Sequence, residues 1–453
     1  MKRVAMHTLG CKLNYTETAT LRAQFTGAGY EVVDFRDRSD IVLINTCSVT
    51  SKADAEARKL VRQSLRRSPG AYVIVVGCYA QLRPEEIASI EGVDLVLGAR
   101  EKFHLMEYLD PSLDKTGPRI VVDDVDDITE FGPAAAADAD ERTRAFLKVQ
   151  DGCDYSCSYC TIPMARGGSR SESIARTVEH ARDILDQGFR EIVLSGVNVG
   201  DYGSGTEHSL YDLLLALHEL EGDFRVRISS IEPNLLTDDI IRLTAESERM
   251  CNHFHIPLQS GSDAVLRLMR RRYNTGRFRE RIDALLAAVP DCGIGIDVIV
   301  GAPGESDARF EEAYRFLTDI PFEYLHVFTY SERPGTDALD IEEQVPPEQR
   351  TKRNRMLRSL SQKKRRAFYQ SQLGRTLNVL FEKPDDHGMI GGFTDNYVRV
   401  EIPHQPGIDN SILPVRLDRI EKGVVHGTLM ARPAADAPYI PLPVLATLPS
   451  ASS

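Results

Sequence analysis

Short apolar runs of strand length alternate with longer amphipathic stretches through most of the chain. In the first part, the longer stretches predict helices near residues 16–28 and 53–67. The apolar runs predict strands near residues 4–8, 30–35, 40–45, 72–77 and 93–97. Because parallel strands need a long connection, usually a helix, this alternation indicates an open parallel α/β sheet covered by helices.

The same alternation returns in the middle of the chain. Strands are predicted near residues 145–150, 190–195, 225–229, 253–256, 293–300 and 324–329. Six strand and helix units fit a partial (β/α)6 barrel of parallel strands. In such barrels the chemistry lies on the loops that follow the strands.

The last part of the chain has a different pattern. A basic helix at residues 347–373 leads into short alternating runs separated by glycine turns, which predict a small antiparallel β-barrel at residues 374–433. Such a barrel either binds RNA or caps the structure. The acidic, alanine-rich stretch 123–142 is predicted to be a linker, and residues 434–453 a tail. The expected domains are therefore 1–122, 143–373 and 374–433.

The composition of the 453 residues, 42% hydrophobic and 27% charged, is that of a globular protein with real cores. No apolar run approaches the roughly 18 residues that a membrane span needs, and the start of the chain does not resemble a signal peptide. We therefore expect a cytoplasmic protein with no membrane partner.

The net charge of −12 argues against indiscriminate nucleic-acid binding, and we expect no DNA partner. Basic residues nevertheless cluster at 267–272 and at 350–366. Either cluster is a solvated helix face or a site for RNA phosphates. The second cluster contains the candidate RNA-binding residues Lys363, Lys364, Arg365 and Arg366.

Three cysteines, Cys153, Cys157 and Cys160, lie in one short loop after the first predicted barrel strand, with three and then two residues between them. Thiolates are soft ligands that favour zinc and iron-sulfur clusters. Three thiols without a fourth partner nearby suit a 4Fe-4S cluster with one open iron, because structural zinc normally takes four protein ligands.

A second group of cysteines is spread along the sequence. Cys11, Cys47 and Cys78 each follow the carboxyl end of a predicted strand in the first sheet. A parallel sheet gathers the loops after its strands at one edge, so the three thiols are expected to converge on a second metal site. The alternative is three separate buried cysteines.

The two cysteine patterns, in this order, resemble the radical S-adenosylmethionine methylthiotransferases over nearly the whole chain to about residue 433. Tyr159, the aromatic residue before Cys160, belongs to the matching signature. Residues 8–14, TLGCKLN, and 45–50, NTCSVT, look like the branch that acts on threonylcarbamoyladenosine beside the tRNA anticodon. The branches that act on isopentenyladenosine and on a ribosomal protein vary these two motifs.

The resemblance implies a radical-generating 4Fe-4S cluster at Cys153, Cys157 and Cys160, and an auxiliary 4Fe-4S cluster at Cys11, Cys47 and Cys78. Two molecules of S-adenosylmethionine would be used per turnover, one to methylate a cluster-bound sulfur and one to generate a 5'-deoxyadenosyl radical. The final barrel would be TRAM-like and bind the tRNA anticodon stem loop. A low-potential electron donor and a sulfur source would be further partners.

Resemblance, together with position on the strand-end rim, suggests further contacts to S-adenosylmethionine. These candidates, in addition to Tyr159, are Gly196, Asn198, Glu232, Gln259 and Ser260. Cys251 and Cys292 fall outside both groups and are assigned to packing. The alternatives are a methylthiotransferase of isopentenyladenosine tRNA or of a ribosomal protein aspartate, and a non-catalytic RNA-binding protein that contains a metal such as zinc.

Overall fold

The computed structural model describes residues 1–48, 50–132, 134–136 and 143–430. The predicted tail at 434–453 lies outside the described residues, as do residues 133 and 137–142 of the predicted linker and residues 431–433 of the predicted final barrel. None of the helices in the described part of the chain combines the length and apolar composition that crossing a membrane requires.

The first unit is an open sheet of six parallel strands in the order β2-β1-β3-β4-β5-β6. The elements are β1 (Arg3–Thr8), α1 (Lys12–Gly27), β2 (Glu31–Val33), β3 (Ile41–Thr46), α2 (Ser51–Arg67), β4 (Tyr72–Gly77), α3 (Cys78–Leu82), α4 (Pro84–Ala88), β5 (Val93–Leu97), α5 (Leu105–Tyr108) and β6 (Arg119–Val121). The predicted sheet is confirmed. Strand β6 and helices α3 to α5 were not predicted, because elements of three to five residues leave no periodic signal.

The second unit is a partial barrel of parallel strands. Its strands are β8 (Arg144–Lys148), β11 (Glu191–Ser195), β12 (Arg225–Ile228), β13 (His253–Gln259), β14 (Gly293–Val300) and β15 (Tyr324–Thr329). They form two hydrogen-bonded groups, β8-β11-β12 and β13-β14-β15, and a parallel bridge between Val226 and Met250 links the groups. The predicted six-strand barrel is therefore confirmed.

Helices cover the outside of this barrel. They are α6 (Ile162–Arg166), α7 (Ile174–Asp186), α8 (Leu210–His218), α9 (Asp238–Glu246), α10 (Asp263–Leu268), α11 (Thr275–Ala288), α12 (Asp307–Asp319) and α13 (Pro347–Gln372). The side chains of Ser173, Ser209, Thr237, Asn274 and Ser306 cap the amino ends of α7, α8, α9, α11 and α12. Each cap satisfies a backbone N–H that has no partner within the helix, which explains where these helices begin.

The two faces of the barrel strands differ in chemistry. The residues that face the helices are apolar and form one continuous core, for example Ile192, Leu194, Phe254 and Ile256. Because side chains alternate along a strand, the intervening residues face the barrel interior. We call this the inner face, and its polar members include Arg144, Lys148, Gln150, Glu191, Arg225, Arg227, His253, His255, Asp297, Tyr324 and His326. The interior of the barrel is therefore lined by charged and polar groups.

The third unit is a closed five-stranded barrel in the order β16-β17-β18-β20-β19. Its strands are β16 (Thr376–Pro384), β17 (Met389–Thr394), β18 (Arg399–Pro403), β19 (Ile412–Glu421) and β20 (Val424–Leu429). The pairing is antiparallel except for β18 with β20, which run parallel. The predicted small barrel is thus confirmed.

The turn between β17 and β18 closes the amino end of the parallel barrel. Arg225 donates to the carbonyl of Phe393 at 2.8 Å, and Arg227 donates to the carbonyl of Asp395 at 3.0 Å. The ring of Tyr397 stacks on His253 with 4.5 Å between centroids. The small barrel therefore forms the floor of the larger one.

Part of the predicted linker is packed against the partial barrel. Strand β7 (Ala135–Ala136) pairs antiparallel with β8, and the side chain of Ile128 is buried. Two short strands, β9 (Gln150–Asp151) and β10 (Arg170–Ser171), pair at the opposite end of β8. The domain boundaries remain predictions.

We expect Glu191→Gln to lower the apparent unfolding temperature strongly. Buried Glu191 accepts from Arg225 at 2.6 Å and from Arg227 at 2.8 Å. Burial opposes its ionisation, but the two arginines outweigh burial and hold the pKa of Glu191 well below its usual range. Removing the charge leaves two buried cations without their anion, which costs about 3–5 kcal/mol.

The measurement is a thermal melt of the variant beside wild type. The matched control is Glu311→Gln, because Glu311 pairs with Arg315 on the surface and its loss should leave the unfolding temperature unchanged. Equal unfolding temperatures for wild type and Glu191→Gln would contradict the assigned role.

Candidate active site

The loop that carries Cys153, Cys157 and Cys160 begins where β9 ends and leads into α6. Its backbone is held by hydrogen bonds from the N–H of Cys153 to the carbonyl of Gly167 and from the N–H of Cys160 to that of Cys157, both at 3.1 Å. The three cysteines line one cavity of about 390 Å³. The structure therefore brings the first predicted triplet together at the carboxyl end of the barrel strands.

Two donors reach the sulfur atoms of this loop. Arg271 donates to the Sγ of Cys157 at 3.1 Å, and the N–H of Ile162 donates to the Sγ of Cys160 at 3.5 Å. Burial raises the pKa of Cys153 to about 11 and that of Cys160 to about 12. These two thiols are thus protonated at neutral pH, and a metal must displace their protons when it binds.

Two arginines of the basic cluster at 267–272 contact this loop. Arg271 forms an ion pair with Glu232, and its second branch reaches Cys157 and the hydroxyl of Tyr159. The guanidinium of Arg272 lies 3.9 Å from the ring centroid of Tyr155. These two arginines therefore have intramolecular partners at the cysteine loop.

Asn198 and Gly196 are joined to the cysteine loop through Gln150. The N–H of Asn198 donates to the side-chain oxygen of Gln150 at 2.8 Å, and the amide nitrogen of Gln150 donates to the carbonyl of Gly152 at the same distance. A Cβ added at Gly196 would lie 2.9 Å from that Gln150 oxygen, so glycine allows this close approach. Both side-chain polar atoms of buried Asn198 lack a hydrogen-bond partner among the described residues.

Glu232 is connected to the loop through Arg271, which also donates to the hydroxyl of Tyr159 within the loop. Burial raises the pKa of Glu232 although Arg271 opposes the shift. Gln259 adopts a left-handed backbone with φ of 65°, and the hydroxyl of buried Ser260 accepts from the N–H of Ser262 at 3.3 Å. Among the described residues, no side-chain hydrogen bond or ion pair joins Gln259 or Ser260 to the cysteine loop. All six S-adenosylmethionine contacts remain predictions.

The second cysteine triplet lies at one edge of the first sheet. Cys11 caps α1, Cys47 follows β3, and Cys78 begins α3 after β4. Asn14 ties two of these loops together by donating to the carbonyls of Leu9 and Thr46, both at 2.9 Å.

Close packing and charge connect the three cysteines. A Cβ added at Gly10 would lie 2.6 Å from the Cβ of Cys47, and the thiols of Cys11 and Cys78 interact electrostatically. Cys251 and Cys292, by contrast, are buried within the barrel region, in line with their assignment to packing.

The donor sets suit iron-sulfur clusters better than single metal ions. Ligands of one zinc ion crowd around it at about 2.3 Å, whereas the thiolates of a 4Fe-4S cluster bind different irons and stand further apart. Among the described residues, His255, Asp297 and His326 form a group whose ligand atoms all lie within 4.8 Å of one another. Neither cysteine triplet is that compact. This inner-face group is the one with the spacing of a single-cation site.

A buried ion network lies between the two triplets. Arg166, at the end of α6, donates to Glu17 of α1 at 2.8 Å, to Asp151 at 2.9 Å and to the side-chain oxygen of Asn14 at 2.8 Å. Lys148 pairs with Asp151 at 2.7 Å, and Lys102 pairs with Glu17 at 2.7 Å.

Each end of this network is close to a cysteine. Asp151 precedes Cys153, Asn14 follows Cys11, and Arg166 also interacts electrostatically with Cys78. Burial disfavours ionisation of Glu17, but the charges of Arg166, Lys102 and Lys148 outweigh it and lower its pKa to about 2. The network therefore links the two cysteine sites through paired charges.

This network and the inner-face charges were not predicted from the sequence. One feature of the sequence does indicate the inner-face charges. The runs RVRI at 225–228 and HFHI at 253–256 alternate polar and apolar residues, whereas strands of a parallel sheet covered on both faces are apolar throughout. Such alternation indicates a barrel whose interior is polar.

The four basic residues predicted to bind RNA lie near the end of α13 and differ in their partners. Lys364 donates to the carbonyls of Thr318 and Ile320 at the end of α12, at 2.7 and 2.8 Å. Arg365 lies 5.2 Å from the ring centroid of Tyr324. Lys363 and Arg366 are exposed. The RNA-binding role of the four remains a prediction, and the two carbonyl partners of Lys364 argue against it for that residue.

We expect Gly77→Ala to remove the iron bound at the second triplet. Gly77 has φ of 96°, and an added Cβ would collide with the side-chain oxygen of Asn45 and the carbonyl of Thr46, next to Cys47 and Cys78. The measurement is iron and acid-labile sulfide per chain after anaerobic reconstitution. The expected result is about half of the wild-type content, since one of the two predicted four-iron clusters would be lost.

Gly70→Ala is the matched control because φ is 90° there but nothing lies within 4 Å of the added Cβ. It should cost only about 1–2 kcal/mol of backbone strain and keep its iron. Wild-type iron content in Gly77→Ala would contradict the assignment of the second triplet.

Models of two protein families match the two parts of the chain that carry the cysteine triplets. A model of the radical SAM superfamily matches residues 147–317, which contain Cys153, Cys157 and Cys160. A model described as uncharacterized protein family UPF0004 matches residues 3–98, which contain the second triplet. The superfamily match implies a 4Fe-4S cluster and S-adenosylmethionine as cofactors.

A solved structure supports the fold. The radical S-adenosylmethionine methyltransferase TsrM from Kitasatospora setae aligns with a TM-score of 0.54 and covers 74% of this chain and 77% of its own. At 14% identity this likeness supports the architecture alone.

Curated relatives match at higher identity. The threonylcarbamoyladenosine tRNA methylthiotransferase MtaB of Bacillus subtilis (strain 168) is 37% identical over 425 residues, which are 92% of this chain and 94% of that protein. MtaB of Aquifex aeolicus (strain VF5) is also 37% identical, over 88% of this chain and 96% of that protein. The chain therefore belongs to the tRNA methylthiotransferases of the radical S-adenosylmethionine superfamily, as a relative of the MtaB enzymes.

Proposed function

We propose that this enzyme adds a methylthio group to carbon 2 of threonylcarbamoyladenosine at position 37 of tRNA, next to the anticodon. The observation that carries the proposal is the pair of cysteine triplets linked by the Arg166 network. One triplet alone would account only for radical generation. The names of the relatives support the choice of substrate, and a tRNA substrate implies work in the cytoplasm.

On the barrel side, Cys153, Cys157 and Cys160 would hold a 4Fe-4S cluster and leave one iron open. When bound, this cluster supplies the electron that cleaves S-adenosylmethionine. The side chain of Asn198 is buried without a partner among the described residues, so it is suited to bind a polar group of that molecule. Gln150 would position Asn198 because it binds both Asn198 and the start of the cysteine loop.

On the sheet side, Cys11, Cys47 and Cys78 would hold the auxiliary cluster. Asn14 and Gly10 keep the loops of Cys11 and Cys47 packed together, and Arg166 would fix the distance to the other triplet. Two molecules of S-adenosylmethionine would be used per turnover, one for each cluster. A low-potential electron donor and a sulfur source would be required partners.

The target adenine must reach the space between the triplets, so it would be splayed out of the anticodon loop. The inner face of the barrel would surround the flipped nucleotide with hydrogen-bonding groups. The TRAM-like barrel and α13 would contact RNA phosphates, which position the tRNA without reading its sequence. We propose functional units at residues 1–122, 143–373 and 374–433.

We expect the two triplets to give different defects when one cysteine is replaced. The assay supplies S-adenosylmethionine and a threonylcarbamoylated anticodon stem loop, and it measures the methylthio product and 5'-deoxyadenosine together. Cys157→Ala should abolish both products, because cleavage of S-adenosylmethionine needs the first cluster. Cys47→Ala should abolish the methylthio product but still yield 5'-deoxyadenosine.

Cys251→Ala is the control for loss of a buried thiol outside both triplets, and it should retain both products. Wild-type enzyme that forms no methylthio product from this substrate would refute the proposed function. Nucleoside mass spectrometry of tRNA from a deletion strain separates a tRNA target from a ribosomal protein target.

We expect the double variant Lys363→Ala, Arg366→Ala to bind the stem loop more weakly and with a flatter salt dependence. Both side chains are exposed and form no ion pair with any described residue, so they are available to phosphates. Losing two phosphate contacts should reduce the slope of log K against log salt by about 1.5. Affinity is measured across a salt titration.

Lys364→Ala is the matched control. Its ammonium group is engaged by carbonyls at the end of α12, so its loss should lower thermal stability and leave the salt slope unchanged. An unaltered slope in the double variant would reject α13 as a phosphate-binding element.

A further inference from the structure

Lys12 is the first residue of α1 and directly follows Cys11 of the second triplet. Helix α1 lies along the inner face of the partial barrel, where Tyr15 packs against Phe146 with 6.0 Å between ring centroids. The side chain of Lys12 interacts electrostatically with Glu191, Arg227 and Tyr397. Lys12 is exposed, so solvent reaches the space into which it extends.

The ammonium group of Lys12 has no hydrogen bond or ion pair with any residue that the structure describes. Glu191, the carboxylate among its electrostatic partners, is already saturated by Arg225 and Arg227. Arg144 is a further cation near Lys12 and is paired with Glu382 at 3.3 Å. This end of the inner face therefore carries an uncompensated positive charge that suits an anionic ligand.

The substrate of the proposed function carries one distinctive anion. Threonylcarbamoyladenosine ends in a carboxylate attached through the N6 nitrogen, whereas isopentenyladenosine ends in an apolar group at the same position. Consecutive Cα atoms are about 3.8 Å apart, so the backbone of Lys12 lies beside the triplet from which the methylthio group would be delivered. Its side chain extends toward Glu191 and Tyr397 of the inner face. A base presented there would carry its N6 substituent into the same space.

Other inner-face groups complete a polar surround for this substituent. A carboxylate oxygen of Asp297 lies 2.8 Å from a ring nitrogen of His255 and 3.3 Å from a ring nitrogen of His326. His326 and Phe328 are exposed to the interior space. These residues offer hydrogen-bonding groups to a urea and a hydroxyl, but Lys12 is the cation without a partner among the described residues.

We propose that Lys12 is a specificity residue that binds the carboxylate of the threonylcarbamoyl group. The inference rests on the proposed function and deepens it. Lys12 would discriminate among adenosines by their N6 substituent, because only an anion relieves its uncompensated charge. A hydrogen bond between charged groups corresponds to a preference of about 10- to 100-fold.

The test compares two stem loops, one with threonylcarbamoyladenosine and one with its methyl ester, which replaces the negative charge by a neutral methoxy group. We expect wild type to prefer the acid by about 10- to 100-fold in kcat/KM. Lys12→Met should show a ratio near one, and Lys12→Arg should retain the preference. Each ratio is taken within a single preparation, so a lower fraction of active enzyme cancels.

Equilibrium affinity for the two stem loops, measured on the iron-loaded proteins without S-adenosylmethionine, provides a second readout that should follow the same order. Lys59→Met is the matched control, because Lys59 is an exposed lysine on α2 that pairs with Glu56. This variant should keep the wild-type ratio.

Two failures are distinguishable. A Lys12→Met enzyme that still prefers the acid, or a wild type that treats acid and ester alike, would overturn the role of Lys12. Wild type that modifies neither stem loop would refute the proposed function itself.

Discussion

The arrangement of the active site depends on the buried guanidinium of Arg166. Its two branches contact Glu17 and Asn14 of helix α1, in the first unit, and Asp151 of the partial barrel. A buried charge that loses its partner is costly, so the two units cannot separate or rotate without exposing or stranding these ions. The pairing therefore holds the loops of the two cysteine triplets in one relative position.

The same network uses residues next to the ligands themselves. Asp151 lies two positions before Cys153, and Asn14 lies three positions after Cys11. Because hydrogen bonds in a buried network reinforce one another, a shift at one triplet is resisted at the other. The proposed reaction between two clusters would require a fixed gap, and this network provides a physical reason for it.

The partial barrel separates its functions between two faces. Its outer face forms an apolar core with the helices and supplies the stability, while its inner face carries charges and aromatic rings. The turn between β17 and β18, which carries Tyr397, closes the amino end of the interior. Helix α1 lies along one side of the interior, where Tyr15 packs against Phe146. The interior is thus shaped for an ionised, hydrogen-bonding ligand, which agrees with a modified nucleotide better than with an apolar substrate.

The sequence alone determined the order of strands and helices, both cysteine triplets and the family, because periodicity and short motifs are local properties. It did not reveal the Arg166 network, since Arg166 and Glu17 are 149 positions apart. It also grouped basic residues by charge, whereas Arg271 binds Cys157 and Lys364 caps α12. Only the tertiary structure decided which charges are paired and which, like the ammonium group of Lys12, have no partner among the described residues, because pairing depends on distance in space.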